Sequence, residues 1–179
     1  MIADATHPTE IRALDADAFR AAIPGLAALT VDAVEGGSGV NFLAGATEDE
    51  TAAWWAARTG PVEAGVVTVF VALDGDRIVG STLIERSTNP NSPHRAEIGK
   101  VIVVRSHRRR GIGAALMAAV EERARADGRW LLLLDTVAGS AAEAMYRAAG
   151  WTAFGVVPNH ALLPDGTPVA TTYFWKDLR

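Results

Sequence analysis

The sequence predicts one α/β domain (α+β mixed), with a mixed, mostly antiparallel sheet and flanking helices. Three observations predict it. The chain has 179 residues, near the ~150 expected of one domain. Its apolar share is 49% and its charged share 21%, the balance of a chain that folds around a core. Its hydrophobic periodicity also changes along the chain, from helical spacing in the first third to short β-rich runs, with one strand–helix–strand unit among them.

Asp15 to about Val34 carries apolar side chains at Phe19, Ile23, Leu26, Ala27 and Val34, a helical spacing that Pro24 is expected to kink or split. Gly36-Gly37-Ser38-Gly39 follows as a flexible loop. Thr47 and Glu50 have capping-box spacing and open a second helix, through Trp54-Trp55 to about Arg58, which Gly60-Pro61 closes. Val66–Leu73 and Arg77–Arg86 read as a β-hairpin around Asp74-Gly75-Asp76. Asn89–Pro93 is a turn-rich connection, and Arg95–Val104 is the next strand. From about Gly111 to Asp127, Ile112, Leu116 and Val120 recur every fourth residue, Glu121 and Arg125 pair on the outer face, and Gly128 ends the helix. Trp130–Leu134 is a short apolar strand suited to burial on both faces. Ser140 and Glu143 cap a further helix running to Ala149. Trp151–Val157 and Pro168–Trp175 are the last strands, with Pro164-Asp165-Gly166 turning between them. The stretch Arg95–Asp135 is then a βαβ crossover, so its two strands are expected to be parallel.

Composition removes several function classes. Seventeen Lys and Arg against 21 Asp and Glu leave a net charge of −4, which argues against a protein made to coat nucleic acid or an anionic membrane. The apolar run at Leu131–Leu134 is far short of the ~20 residues of a membrane span. Met1-Ile2-Ala3-Asp4 shows no basic segment leading an apolar one, so a cytoplasmic protein is expected. With no cysteine, disulfides, thiolate metal sites and a cysteine-borne acyl intermediate are excluded. His7, His94, His107 and His160 are scattered, with no His-Glu-x-x-His, and no metal is expected.

The chemically informative stretch is Val101–Gly113, where an apolar strand ends, a basic loop follows, and a helix opens on Arg108-x-x-Gly111-x-Gly113. Unpaired amides converge at such a helix start, with the positive end of the dipole behind them. Glycines let the backbone come close to a ligand, and arginines add charge-assisted bonds to phosphate oxygens. The combination reads as a pyrophosphate cradle. A Rossmann fingerprint fails because Leu116 occupies its last position, and a Walker loop fails for want of Gly-Lys-Ser/Thr. A nucleic-acid patch and a solvated turn before an amphipathic helix are the other readings.

In this setting the chain resembles the GNAT superfamily of acyl-CoA-dependent N-acetyltransferases, in element order from about Val66 to Trp175. It is most similar to the tabtoxin-resistance type. That likeness rests on Gly36-Gly37, Arg95-Ala96-Glu97, Leu131 through Thr136, Ala138-Gly139-Ser140, Glu143-Ala144 with Tyr146, and Pro164-Asp165-Gly166. The resemblance implies that the two parallel strands splay apart and that acetyl-CoA lies between them. Its pantetheine would pair with the backbone of Val101, Ile102 and Val103, and its pyrophosphate would sit on Arg108, Arg109, Arg110, Gly111, Ile112 and Gly113. Many relatives carry Asn where this chain has Gly139, which leaves Ser140 as the replacement contact. Terminal-strand pairing in the resembled family makes a homodimer a possibility.

The domain is expected to divide its work by region. Residues 10–60 contribute helices to the acceptor site, residues 66–157 form the acetyl-CoA core, and residues 151–176 form a C-terminal hairpin. Glu97, at the start of the strand carrying Val103, is the first candidate base, and a matching Glu serves some GNAT enzymes; it also reads as a solvent-facing strand carboxylate. Asp135, ending a buried strand and expected to be partly desolvated, is the second, or else a turn acceptor. Tyr146 stands where the resembled enzymes often carry a tyrosine beside the CoA sulfur, and is the candidate acid or else a core tyrosine. His160, placed in a loop, and Trp54 and Trp55 are further candidates for the acceptor wall, and at most one of the two tryptophans is expected to be purely core. The expected activity is direct acetylation of a small-molecule amine, amino-acid-like or an antibiotic. A protein or peptide N-acetyltransferase and a non-catalytic acyl-CoA sensor are the alternatives.

Overall fold

The computed structural model describes residues 9–179; Met1–Asp4 and His7 lie outside the described residues. The first described element is a strand, β1 (Glu10–Ala13), which pairs antiparallel with the chain further on. Sequence reading assigned this region to helices, because four residues are too few to show a period. Helix α1 (Ala16–Glu35) follows, capped by Asp15, whose carboxylate accepts the Ala18 amide at 2.8 Å. Pro24 lies inside α1 and does not split it. It removes one amide donor, but Phe19, Leu26, Ala27 and Leu29 are buried on either side of it and hold the helix on the sheet. Gly25 permits a close approach there, since a Cβ at that position would stand 2.9 Å from Ile78 Cδ1.

Helix α2 (Glu48–Ala56) opens on the expected capping box of Thr47 and Glu50. Gly60-Pro61 does not merely close it: both residues lie in a one-turn helix, α3 (Thr59–Glu63). Proline is tolerated in a first turn, where amides have no intrahelical partner. The rest of the chain is β2 (Val67–Asp74), β3 (Arg77–Arg86), β4 (Arg95–Val103), α4 (Ile112–Ala126), β5 (Leu131–Val137), α5 (Ala141–Ala148), β6 (Thr152–Leu162) and β7 (Pro168–Asp177). Among the described residues the sheet has seven strands in the order β1-β2-β3-β4-β5-β7-β6, and β4–β5 is its parallel pair. The expected mixed, mostly antiparallel sheet is therefore present.

Two features shape the middle of this sheet. The parallel pair is matched only over Arg95–Leu131, Ala96–Leu132 and Glu97–Leu133. Beyond Glu97 the strands continue to Val103 and Val137 without pairing, which opens a cleft. A bulge in β4 accompanies the divergence: Lys100 and Val101 stand opposite the single residue Thr82. Lys100 has φ 52°, a left-handed conformation uncommon for a side-chain-bearing residue, and a bulge of this kind increases local twist. Buried hydroxyls take up the displaced carbonyls, Ser81 Oγ donating to Lys100 O at 3.1 Å and Thr82 Oγ1 to Gly99 O at 3.3 Å.

The faces of the sheet bury different layers. One packs Ile84, Ala96, Ile98, Ile102, Leu132 and Leu134 with Leu116, Met117 and Val120 of α4 and Tyr146 of α5. The other packs Val67, Val69, Val71 and Leu83 with Phe19 and Leu26 of α1, Trp55 of α2 and Val62 of α3. Glu85 and Glu97, cross-strand partners, are exposed.

Candidate active site

The loop between β4 and α4 begins with a 3-10 turn, Arg105–His107. Arg105 is not turned toward a ligand. Its amide and Nε bond Asp32 at 2.9 and 2.8 Å and its Nη2 bonds Glu35 at 2.9 Å, which ties the loop to α1. Burial pushes the Asp32 carboxyl up, but the bonds from Arg105 and the charges of Arg105 and Arg108 outweigh it and hold the group below its ordinary value. His107 is similarly engaged, with Asp74 at 3.0 Å and Ser106 at 2.9 Å.

Past this anchor the backbone is open. Among the described residues, the amides of Arg109, Arg110, Gly111, Ile112, Gly113 and Ala114 have no hydrogen-bond partner, and the first helical bond of α4 runs from Ala115 N to Gly111 O at 3.0 Å. Arg109 has φ 63° and Gly111 φ 80°. The left-handed turn at Gly111 lets the chain enter α4 without a capping side chain. Gly113 serves packing, since a Cβ there would stand 3.1 Å from Met145 Sδ. Ile112 is buried in the core, so only its backbone faces outward. Arg109 and Arg110 are exposed and make no hydrogen bond or ion pair among the described residues, whereas Arg108 folds back to donate to Val103 O at 3.1 Å. This set of open amides, positive helix end and free guanidiniums fits a diphosphate.

A cleft of about 920 Å³ runs through the splayed strands, lined by Val101 on one side and Asp135, Thr136 and Val137 on the other. Val103 and Ile102 continue β4 toward the cradle, and Ile102 is buried against α4. Tyr146 reaches the cleft from the α4–α5 face. It is 4% exposed, flanked by Trp151 and Phe174 with ring centroids 6.1 Å away, and its hydroxyl makes no hydrogen bond among the described residues. Burial, and secondarily the Asp135 charge, push its phenol well above the ordinary value, so it is a proton-bearing group at any working pH. Glu97 and Asp135 line the same cleft from the opposite face of the sheet. Asp135 is exposed, which corrects the expectation of partial desolvation: the splay that makes the cleft also lets water reach the end of β5. Ser140 lines the rim as well, with its hydroxyl accepting the Glu143 amide at 3.2 Å as the cap of α5.

The far wall comes from the N-terminal half. Residues 37–43 and residues 160–163 of β6 and its following turn face each other across the cleft, and Ala44 N bonds Pro164 O at 2.8 Å to join the two segments. His160 belongs to β6 rather than to a loop. The strand runs to Leu162 through a bulge at residues 158–160, and His160 is hydrogen-bonded to Tyr173 Oη at 2.9 Å. The paired tryptophans separate as helical geometry requires. Trp55 is fully buried with Nε1 on Thr30 Oγ1 at 3.0 Å, while Trp54 lines the cleft beside Phe42, 6.4 Å away. Phe42, Arg58, Glu85 and Lys100 are among the lining residues that were not singled out from sequence. Lys100 carried the only available signal, as a lone charge inside the apolar run Ile98–Val104. Burial first, then the Arg58 charge, pull the Lys100 ammonium down to about 8, against a smaller upward pull from Asp135.

The comparisons with known proteins agree with this geometry. The profile of the acetyltransferase (GNAT) family matches residues 41–151, more than half of the chain, and the chain belongs to that family. Among solved structures, an N-acetyltransferase from Staphylococcus aureus Mu50 is similar at 18% identity and TM-score 0.78, over 97% of this chain and 100% of that one. The structure of yncA from Salmonella typhimurium with its cofactor acetyl-CoA is similar at 19% identity and TM-score 0.76, over 97% and 95%. A ribosomal-protein-alanine N-acetyltransferase from Brucella melitensis is similar at 25% identity and TM-score 0.71, over 94% and 99%. Membership makes the protein an acyl-CoA-dependent acetyltransferase with acetyl-CoA as donor. Among the described residues no cluster of side chains suits a metal ion, and no helix is long and apolar enough to cross a membrane.

Proposed function

We propose that the protein acetylates the amine of a small-molecule acceptor by direct transfer from acetyl-CoA. The observation that carries this reading is the cleft at the splay: Glu97 and Asp135 line it together with Tyr146, residues 37–43 and 160–163 wall it, and the open amides entering α4 follow from the end of β4. An extended peptide would need an open groove in which to lie, and a cleft walled by residues 37–43 and 160–163 favours a compact acceptor.

Acetyl-CoA supplies the activated acyl group as a thioester. The amides of Arg109–Ala114, with Arg109 and Arg110, hold the diphosphate, and the edge of β4 at Val101–Val103 that has left β5 orients the arm that follows it. The acceptor arrives as an ammonium, and with a pKa of ~10.4 only about one molecule in 10³ is free amine at pH 7. Glu97 takes that proton, directly or through water, at the point where β4 and β5 part. Asp135, across the gap, is the second candidate for this role. Tyr146 holds its proton until the thiolate departs, donates it to the sulfur and regains one from solvent; burial opposes that donation, so the transfer depends on the position of the hydroxyl on α5.

The likeness to the tabtoxin-resistance type supports an amino-acid-like or antibiotic acceptor. A second reading, acetylation of a protein N-terminus, is favoured by the 25% identity to the alanine N-acetyltransferase. A thiol-release assay with acetyl-CoA separates them, and with no cysteine in the chain there is no protein background. Turnover with small amines and none with N-terminal peptides is expected. The reverse pattern overturns the proposal, and tight donor binding with no turnover on any amine leaves the sensor reading. Replacing Tyr146 with Phe is expected to lower kcat about 100-fold at unchanged donor affinity; an unchanged kcat removes the acid role.

A further inference from the structure

Among the described residues, two cations of the cleft stand together without an ion-paired carboxylate. Arg58, four residues after Trp54, lays its guanidinium carbon 3.1 Å from the centre of the Trp54 ring, and Lys100 Nζ lies 4.2 Å from the same centre. The two charges are thus no further apart than those distances combined. Their hydrogen bonds go to neutral carbonyls, Arg58 Nη1 to Trp54 O at 2.9 Å and Lys100 Nζ to Val40 O at 2.8 Å. Neither makes an ion pair with a carboxylate among the described residues, although both sides of the cleft carry acidic groups.

Holding two like charges together in a half-buried site is unfavourable unless something relieves it. Glu85 on β3 and Asp135 on β5 act on them only at a distance. The site is also rigid: Trp54 is braced edge-on by Trp55, ring centroids 5.0 Å apart, and Trp55 is locked in the core. Lys100 sits on the β4 bulge, so its side chain departs from the plain strand alternation. Toward the point where β4 and β5 part, the charge sign reverses, with Glu97 and Glu85 side by side. About 10 Å of strand separates the α-carbons of Glu97 and Lys100, a span that side chains reaching in from both ends reduce to the size of one small molecule.

We propose that Arg58 and Lys100 form an oxyanion-binding subsite, and that the acceptor is an amine carrying a carboxylate, held by its anionic end against Trp54 while its ammonium faces Glu97 and Glu85. This rests on the acetyl-transfer reading. It makes Arg58 and Lys100 specificity determinants, with the carboxylate completing a charge arrangement that the free protein leaves unbalanced. Arg58 supplies the planar donor pair suited to a carboxylate, and Lys100 supplies a point charge.

The test compares amino acids with their carboxamides as acceptors, and N-acetyl amino acids with their N-methylamides as ligands in titration calorimetry. The wild-type protein is expected to prefer the carboxylate series by about 10- to 100-fold in kcat/KM and in affinity. Arg58→Gln and, independently, Lys100→Met are expected to remove most of that preference by weakening the carboxylate series alone. Turnover of both series at equal efficiency overturns the subsite and leaves acetyl transfer standing. Carboxylate binding that Arg58→Gln abolishes, without turnover of any amine, supports the subsite and overturns the acetyl-transfer reading. A preference retained in both variants overturns the assignment to Arg58 and Lys100.

Discussion

The two ends of the cleft are built from different materials. At the cradle between β4 and α4, the recognising groups are backbone amides presented by a left-handed turn at Gly111 and the first turn of a helix. At the opposite end the recognising groups are side chains from distant parts of the chain: Trp54 and Arg58 around α2, Glu85 on β3, Lys100 on β4 and His160 on β6. A backbone site needs only a short local motif and tolerates many side chains. A side-chain site depends on how four elements pack, and each residue can change without disturbing the fold. Chains only 18–25% identical share this fold, and a backbone site survives such divergence more readily than a side-chain site.

Adjacent tryptophans give the sharpest way to separate fold from site on the acceptor side. Trp55→Ala empties a fully buried volume and is expected to cost about 4 kcal/mol in urea unfolding. Trp54→Ala is expected to cost much less stability and to raise the acceptor KM instead. Similar losses of stability in the two variants would mean that Trp54 is core as well, and would blur the comparison.

Lys100 offers the next largest effect. Its ammonium is lowered from 10.5 to about 8 by burial and by Arg58, with Asp135 pulling the other way. Between those values the unfolded chain binds more protons than the folded one, so stability rises with pH across that window. Relative to Lys100→Met, the wild-type protein is expected to gain up to about 3 kcal/mol from pH 8 to 10.5. Parallel stability curves for the two proteins would contradict the buried, Arg58-opposed placement of Lys100.

On the donor side the effects of single side chains are expected to be smaller. Arg110→Ala removes one exposed guanidinium and leaves every amide in place, so acetyl-CoA affinity is expected to fall about tenfold, with kcat unchanged. A loss of several hundredfold would show that side chains, not the backbone, dominate this end.

How much was legible in the sequence follows the same division. Arg77–Arg86 was located to the residue, the capping box at Thr47 was found, and the parallel pair was deduced from one crossover, because local periodicity and short turns encode those features. Pro24 misled, because propensity speaks for one residue while the burial of Phe19, Leu26 and Leu29 speaks for the whole helix. The edge strand β1 was too short to leave a period, and β6 extended past its apolar run because a bulge lets polar residues continue the pairing. The cradle was readable because its residues are contiguous. Arg58, Glu85 and Lys100 were not, because they lie apart in sequence and meet only when α2 docks beside the β4 bulge.

The central claim is that the free amides entering α4 are the donor's anchor. Amide hydrogen exchange, resolved by residue and measured with and without acetyl-CoA, addresses it directly. Exchange at Arg109–Ala114 is expected to slow by about tenfold or more when the donor binds, with little change at Arg105 and His107, whose contacts are already internal. Saturating acetyl-CoA that leaves exchange at Arg109–Ala114 untouched would contradict the account.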